Sequence, residues 1–119
     1  MPIKTSLTKR KCVPCEGGIP PLTLAESRRH LKSLDGWSLA SGGKSIQAEY
    51  LLKNFAAAVG LIQKIAWIAE GEGHHPDLHL VRYKRLTVVL TTHAIDGLSL
   101  NDFIVAAKIQ KIAGKPVGV

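Results

Sequence analysis

Between Glu70 and His79 the chain reads Glu-Gly-Glu-Gly-His-His-Pro-Asp-Leu-His, a run that holds three of its five histidines and three carboxylates. Imidazole is the side chain suited to moving protons near neutral pH, because its unperturbed pKa is about 6.5. Neighbouring residues of a helix or strand point apart, so His74 and His75 can share one space only where the backbone turns. Pro76 biases His75 toward an extended conformation, and Gly71 and Gly73 supply the dihedrals at which a helix can stop. The pattern predicts a helix ending near Glu70, a glycine turn, a corner bearing two imidazoles, and then a strand. A further histidine, His93, closes the β-branched run Leu-Thr-Val-Val-Leu-Thr-Thr at 86–92.

The elements that must position these groups follow from periodicity. Thr23-Leu24-Ala25-Glu26 has the form of a capping box, and Leu24, Ser27, Leu31 and Leu34 recur at helical spacing, predicting a first helix over 24–34. Trp37-Ser38-Leu39 and the alternating Ile46, Ala48 and Tyr50 predict two strands joined by a Ser-Gly-Gly-Lys turn. Asn54 can cap the next helix, in which Phe55, Val59, Ile62, Ala66 and Ala69 form one apolar stripe and Ala58, Leu61, Ile65 and Ile68 a second. So wide an apolar surface exceeds what one sheet face needs, and part of it is expected to bury against another subunit. Leu78, Leu80 and Val81 predict a third strand, 82–85 a polar turn containing Tyr83, and 86–92 a fourth strand. Ser99-Leu100-Asn101-Asp102 repeats the capping logic and opens a last helix with Phe103, Ile104, Ala107 and Ile112. The order is α-β-β-α-β-β-α. Hairpin-length links and amphipathic helices predict an α+β fold, a four-stranded antiparallel sheet with helices packed on one face.

Composition narrows the function. A chain of 119 residues with 45% hydrophobic and 21% charged residues fits a single folded domain. The formal charge of +7 includes Lys4, Lys9, Arg10 and Lys11, so it describes a basic terminus more than a basic face. With no recognition-helix pattern or aromatic-basic interleaving, nucleic acid is not an expected partner. No stretch approaches the roughly 18 apolar residues of a membrane span. Residues 1–21 read as a flexible basic tail and linker, 22–119 as the domain, and the location as cytoplasmic. Cys12 and Cys15 form Cys-Val-Pro-Cys without a second pair to complete a zinc site, which favours two free thiols.

The ordered set Glu70, His74-His75-Pro76, Tyr83, His93 and Asp102, together with Gly36-Trp37, Thr91-Thr92 and Gly97-Leu98-Ser99, resembles the signature of the pterin-4a-carbinolamine dehydratases. The Cys-x-x-Cys entrance and the Asp77-Leu78-His79-Leu80-Val81 run look like the plant and microbial branch. Gly73 stands where the short mammalian form has an acid. The resemblance implies a hydro-lyase, a 4a-hydroxytetrahydrobiopterin dehydratase of tetrahydrobiopterin recycling, which eliminates water to give a quinonoid dihydropterin. It implies His74, His75 and His93 as catalytic residues with Glu70 as a supporting acid. Gly73, His74, His75, Thr91, Thr92, His93 and Ala94 would contact the pterin, and Trp37 would line the pocket, although core packing explains that residue equally well. It implies no metal and no cofactor, the pterin being substrate, and a homodimer or homotetramer.

His74 and His93 are the expected proton-transfer pair, with Glu70 orienting His74. Asp102 is expected mainly to cap its helix, and His79 to face outward from its strand. Two alternatives stand beside this reading: a tetrahedral zinc site from three histidines with Glu70 or Asp77, and a protein-interaction module, a dimerisation cofactor that uses its apolar helix.

Overall fold

The computed structural model describes residues 7–13 and 19–117, so Cys15 and the first residues of the basic tail lie outside the described residues. Helix α1 spans Leu24–Leu31, its N-terminus closed by Thr23 and Glu26, each accepting the other's backbone N–H at 3.1 and 2.9 Å. It stops three residues short of the predicted end, and Leu34, 7% exposed, reaches the core from the turn that follows. Strand β1 (Ser38–Ala40) pairs with β2 (Ser45–Leu51), and β3 (Asp77–Val81) pairs with β4 (Arg85–Leu90). The sheet is antiparallel with order β1-β2-β4-β3, so β2 and β4 are central and non-consecutive in the chain.

Registry explains why one face is apolar. Ile46 lies opposite Leu90, Ala48 opposite Val88 and Tyr50 opposite Leu86, while Leu78 and Leu80 face Val88 and Leu86 from the other side. With a side-chain period of two, all of these point the same way, and Ile46, Leu86, Val88 and Leu90 are fully buried. The other face carries Gln47, Glu49, Thr87 and the exposed His79.

Helix α2 (Phe55–Glu72) and helix α3 (Leu100–Ala113) cover the apolar face. The two apolar stripes of α2 have different fates. Ala58, Leu61 and Ile65 of the second stripe are buried, with Ala69, whereas Phe55 and Val59 of the first are 55% and 37% exposed. Trp67 adds to that outward face at 83% exposure.

The most enclosed element is α3, in which every residue of 101–107 is buried. A helix buried all round needs neighbours on every side, and the residues read as a tail supply part of that cover. Leu7 is 4% exposed in the core, Cys12 packs against the core, and Val13 bonds to Asn101. The 7–13 segment, read from the sequence as part of the 1–21 tail, thus packs on the domain, while residues 1–6 and 14–18 lie outside the described residues. His30, which had no partner in the sequence, lies 5.2 Å from the Phe103 ring between centroids.

Candidate active site

The antiparallel β3–β4 hairpin brings the start of one strand beside the end of the other. Asp77 opposes Val89, and continuing that register two residues outward sets His75 across from Thr91. The corner before β3 and the segment after β4 therefore meet at one rim of the sheet. Thr92 pairs with Gly97 across a tight turn, His93–Ile95, that returns the chain to the N-terminus of α3 at the same rim. Asp96 takes a left-handed conformation, φ 50°, to complete the turn.

Helix α2 runs on past the predicted stop at Glu70 and takes Gly71 into its last turn; Gly73 is the residue that ends it. Its φ of 66° lies in the left-handed region, and the N–H groups of Gly73 and His74 both reach Ala69 O. This is a left-handed C-cap, and it swings the two histidines out of the helical path toward the rim.

A cavity of about 230 Å³ opens there, lined by Val13, Gly73, His74, His75, Thr91, Thr92, His93, Ala94 and Asn101. All three histidines singled out in the sequence border it, and so do the four other positions expected to contact the pterin, Gly73, Thr91, Thr92 and Ala94. Trp37 does not: it is 7% exposed within the hydrophobic core, where the sheet and helices close over it. Of the two places the sequence allowed it, pocket wall and core, Trp37 takes the core.

The carboxylate partners also differ from expectation. His74 Nε2 lies 2.6 Å from Asp102 Oδ1, with the histidine side chain 12% exposed and the aspartate fully buried. The other oxygen, Oδ2, accepts from Thr92 Oγ1 at 2.8 Å and from the Ser99 N–H at 3.0 Å. Thr92 Oγ1 in turn sits 2.7 Å from Ser99 Oγ. Asp102 thus does the capping expected of it and also holds a histidine ring. A carboxylate only accepts, so Nε2 of His74 carries the hydrogen of this bond, and Nδ1 is the acceptor of the neutral ring.

Glu70 pairs with His75 Nε2, not with His74, and both side chains are largely in solvent, 76% and 60% exposed. Such pairs contribute little to stability. Glu70 borders a different depression on α2, beside Gln63, Ala66 and Trp67. Among the described residues the His93 ring has no hydrogen-bond partner, and no three His, Cys, Asp or Glu side chains gather in a way that could hold a metal ion. The zinc set of three histidines with Glu70 or Asp77 does not assemble.

Sequence reasoning missed Val13 and Asn101. The Asn101 side chain takes the Val13 N–H at 3.0 Å and donates to Val13 O at 2.7 Å, a contact across 88 positions that no local pattern signals. Cys12, one residue earlier, is half-buried, and burial first, then the neighbouring Glu72 carboxylate, push its thiol up to about 12. That thiol stays protonated, which agrees with the inert reading of Cys12.

Fold and cavity together define a small α+β protein with an imidazole-lined pocket at one end of its sheet. The profile of the family described as "Pterin 4 alpha carbinolamine dehydratase" matches residues 20–112, and the chain belongs to that family. A protein of Nitrosospira multiformis named as a candidate pterin-4-alpha-carbinolamine dehydratase is 44% identical over 106 residues, 89% of this chain and 91% of that one. The mitochondrial pterin-4-alpha-carbinolamine dehydratase 2 of Arabidopsis thaliana is 39% identical over 109 residues, 89% of this chain and 58% of that one. The crystal structure of a transcriptional coactivator/pterin dehydratase from Brucella melitensis aligns with TM-score 0.74 and 35% identity, covering 79% of this chain and 99% of that one. No helix among the described residues is long and apolar enough to cross a membrane.

Proposed function

We propose that this chain is a hydro-lyase that dehydrates a 4a-hydroxy-tetrahydropterin, the reaction of its family. The observation that carries the reading is the convergence of His74, His75 and His93 on one cavity, with a fully buried carboxylate behind His74. The volume of that cavity, about 230 Å³, suits a flat two-ring heterocycle.

The reaction breaks the bond from carbon 4a to its hydroxyl oxygen and removes a proton from the ring nitrogen beside that carbon. The electron pair of the N–H bond becomes the new carbon–nitrogen double bond. The hydroxyl leaves as water on taking a proton, and the product is a quinonoid dihydropterin. One group must accept a proton and another must deliver one, each giving about 10²- to 10⁴-fold. His74 fits the accepting role, because Asp102 fixes its tautomer with Nδ1 free to receive a proton. His93, which lines the same cavity, fits the delivering role, and His75 with Glu70 shapes the exposed side.

Stopped-flow dehydration of chemically prepared carbinolamine tests this. His74→Ala and His93→Ala should each slow the enzyme by about 10²- to 10⁴-fold; a wild-type protein that gives no histidine-dependent acceleration would sink the reading.

A homo-oligomer belongs to the same reading. Phe55, Val59 and Trp67 stand out from one side of an 18-residue helix at 55%, 37% and 83% exposure. Monomers seldom leave such a row uncovered, and a second copy of α2 offers the matching apolar surface. The same face is what an interaction module would use, but that reading gives the buried His74–Asp102 pair nothing to do. Cytoplasmic residence is proposed on the kinship with bacterial proteins, and cell fractionation would test it.

A further inference from the structure

Two residues that line the cavity, Val13 of the N-terminal segment and Asn101 of α3, have no part in the proton transfers. Val13 lines the cavity beside the histidines, and its peptide is gripped at both ends by one side chain. Asn101 Oδ1 accepts the Val13 N–H at 3.0 Å and Asn101 Nδ2 donates to Val13 O at 2.7 Å. A primary amide is the one neutral side-chain group with a donor and an acceptor side by side, so it can pair with a peptide as a neighbouring strand would. Asn101 is 5% exposed, and at that burial an unmatched amide is costly, so the pairing is firm.

The residue before is tied down independently. Cys12 N–H donates to Glu72 Oε1 at 2.8 Å, Glu72 Oε2 takes the Lys108 ammonium, and Cys12 Sγ reaches Asn101 O at 3.6 Å. Glu72 is the last residue of α2, directly before the Gly73 cap and the paired histidines. The strap thus ties together the end of one helix and the start of another, the two elements that supply His74 and Asp102. While its backbone is held so closely, Val13 is left 67% exposed. It is an aliphatic group fixed on a backbone at the edge of a cavity otherwise rich in polar side chains.

We infer that Val13 is a specificity-determining residue, its side chain lying against one face of the bound bicyclic ring, with Asn101 as the positioning residue that sets it there. The inference rests on the dehydratase reading. An apolar group opposed to a flat ring binds the substrate and the transition state alike, so its loss falls on KM.

The test measures KM and kcat of Val13→Ala, Asn101→Ala and the double variant by stopped flow. In parallel, the Val13 methyl resonances of the wild-type protein are titrated with 7,8-dihydropterin. Val13→Ala should raise KM about 5- to 10-fold, with kcat altered less than about 2-fold. The Val13 methyls should move on titration, as groups beside an aromatic ring do. In the Asn101→Ala background the Val13→Ala effect should largely vanish, since the positioned wall is already gone; two effects that simply multiply would overturn the positioning role. Should Asn101→Ala fail to fold, Asn101→Asp keeps the acceptor for Val13 N–H, loses the donor, and gives an intermediate KM. An active wild type whose KM and methyl signals ignore Val13 overturns the inference and leaves the dehydratase standing. A wild type that neither turns over carbinolamine nor binds the dihydropterin removes both.

Discussion

His74 and Asp102 are the pair on which the proposed chemistry leans, and their geometry makes a specific demand. Asp102→Asn keeps the size of the side chain but offers His74 an amide, which removes the fixed tautomer. Its kcat should fall as far as that of His74→Ala, about 10²- to 10⁴-fold, whereas Glu70→Gln, in solvent beside His75, should change kcat by less than about 3-fold. Steady-state kinetics on the two variants separates them. Glu72, which holds the Cys12 N–H next to the cavity-lining Val13, makes a second demand. Burial alone would raise its pKa, but the Lys108 and Cys12 hydrogen bonds outweigh that and hold the carboxyl below the usual range. A carboxyl depressed by folding stabilises above its unfolded value, about 4.3, and that contribution is lost as pH falls through the lower folded value. Urea melts should therefore show Glu72→Gln less stable by about 1–3 kcal/mol at pH 7, with the gap closing as the pH drops below about 4. The histidines were legible from residue type alone, but their partners were not. Glu70 to His74 is the four-residue step of a helix, and the left-handed Gly73, φ 66°, breaks that step before it is completed, so Glu70 meets His75 instead.

Among the elements, the α2 terminus carries the most consequence for the least material. An added methyl at Gly73 meets no atom within 4 Å, so Gly73→Ala tests backbone strain alone. It should cost about 1 kcal/mol in chemical denaturation and lower kcat as the two imidazoles shift. Periodicity exposed the four strands and helices α1 to α3, because alternation in β2 and β4 and the capping boxes at Thr23 and Ser99 are local signals. Which apolar helix would be buried was hidden. Helix α2 has the broader apolar surface yet leaves Phe55, Val59 and Trp67 outside, while α3 is closed over by residues 7–13, a segment distant in sequence. The strand order β1-β2-β4-β3 was equally invisible, since the β2–β4 pairing joins strands from different hairpins.

At the level of the whole molecule, the outward row on α2 predicts self-association. Trp67→Glu places a charge at its most exposed residue and should shift sedimentation toward the monomer, while the His74–Asp102 pair, on the far side of the Gly73 cap, keeps its contacts. Trp37 belongs to this scale too: its type suited a pocket wall, and only assembly of the complete core decided that it packs inside. The family kinship and the convergent cavity lead to one claim, that buttressed imidazoles at the sheet rim expel water from a pterin carbinolamine. Single-turnover stopped flow with chemically prepared 4a-carbinolamine, comparing wild type, His74→Ala and Asp102→Asn, addresses it most directly. Rapid dehydration by the wild type, with both variants slowed by about 10²-fold or more, is the predicted result; equal rates in all three proteins would contradict the account.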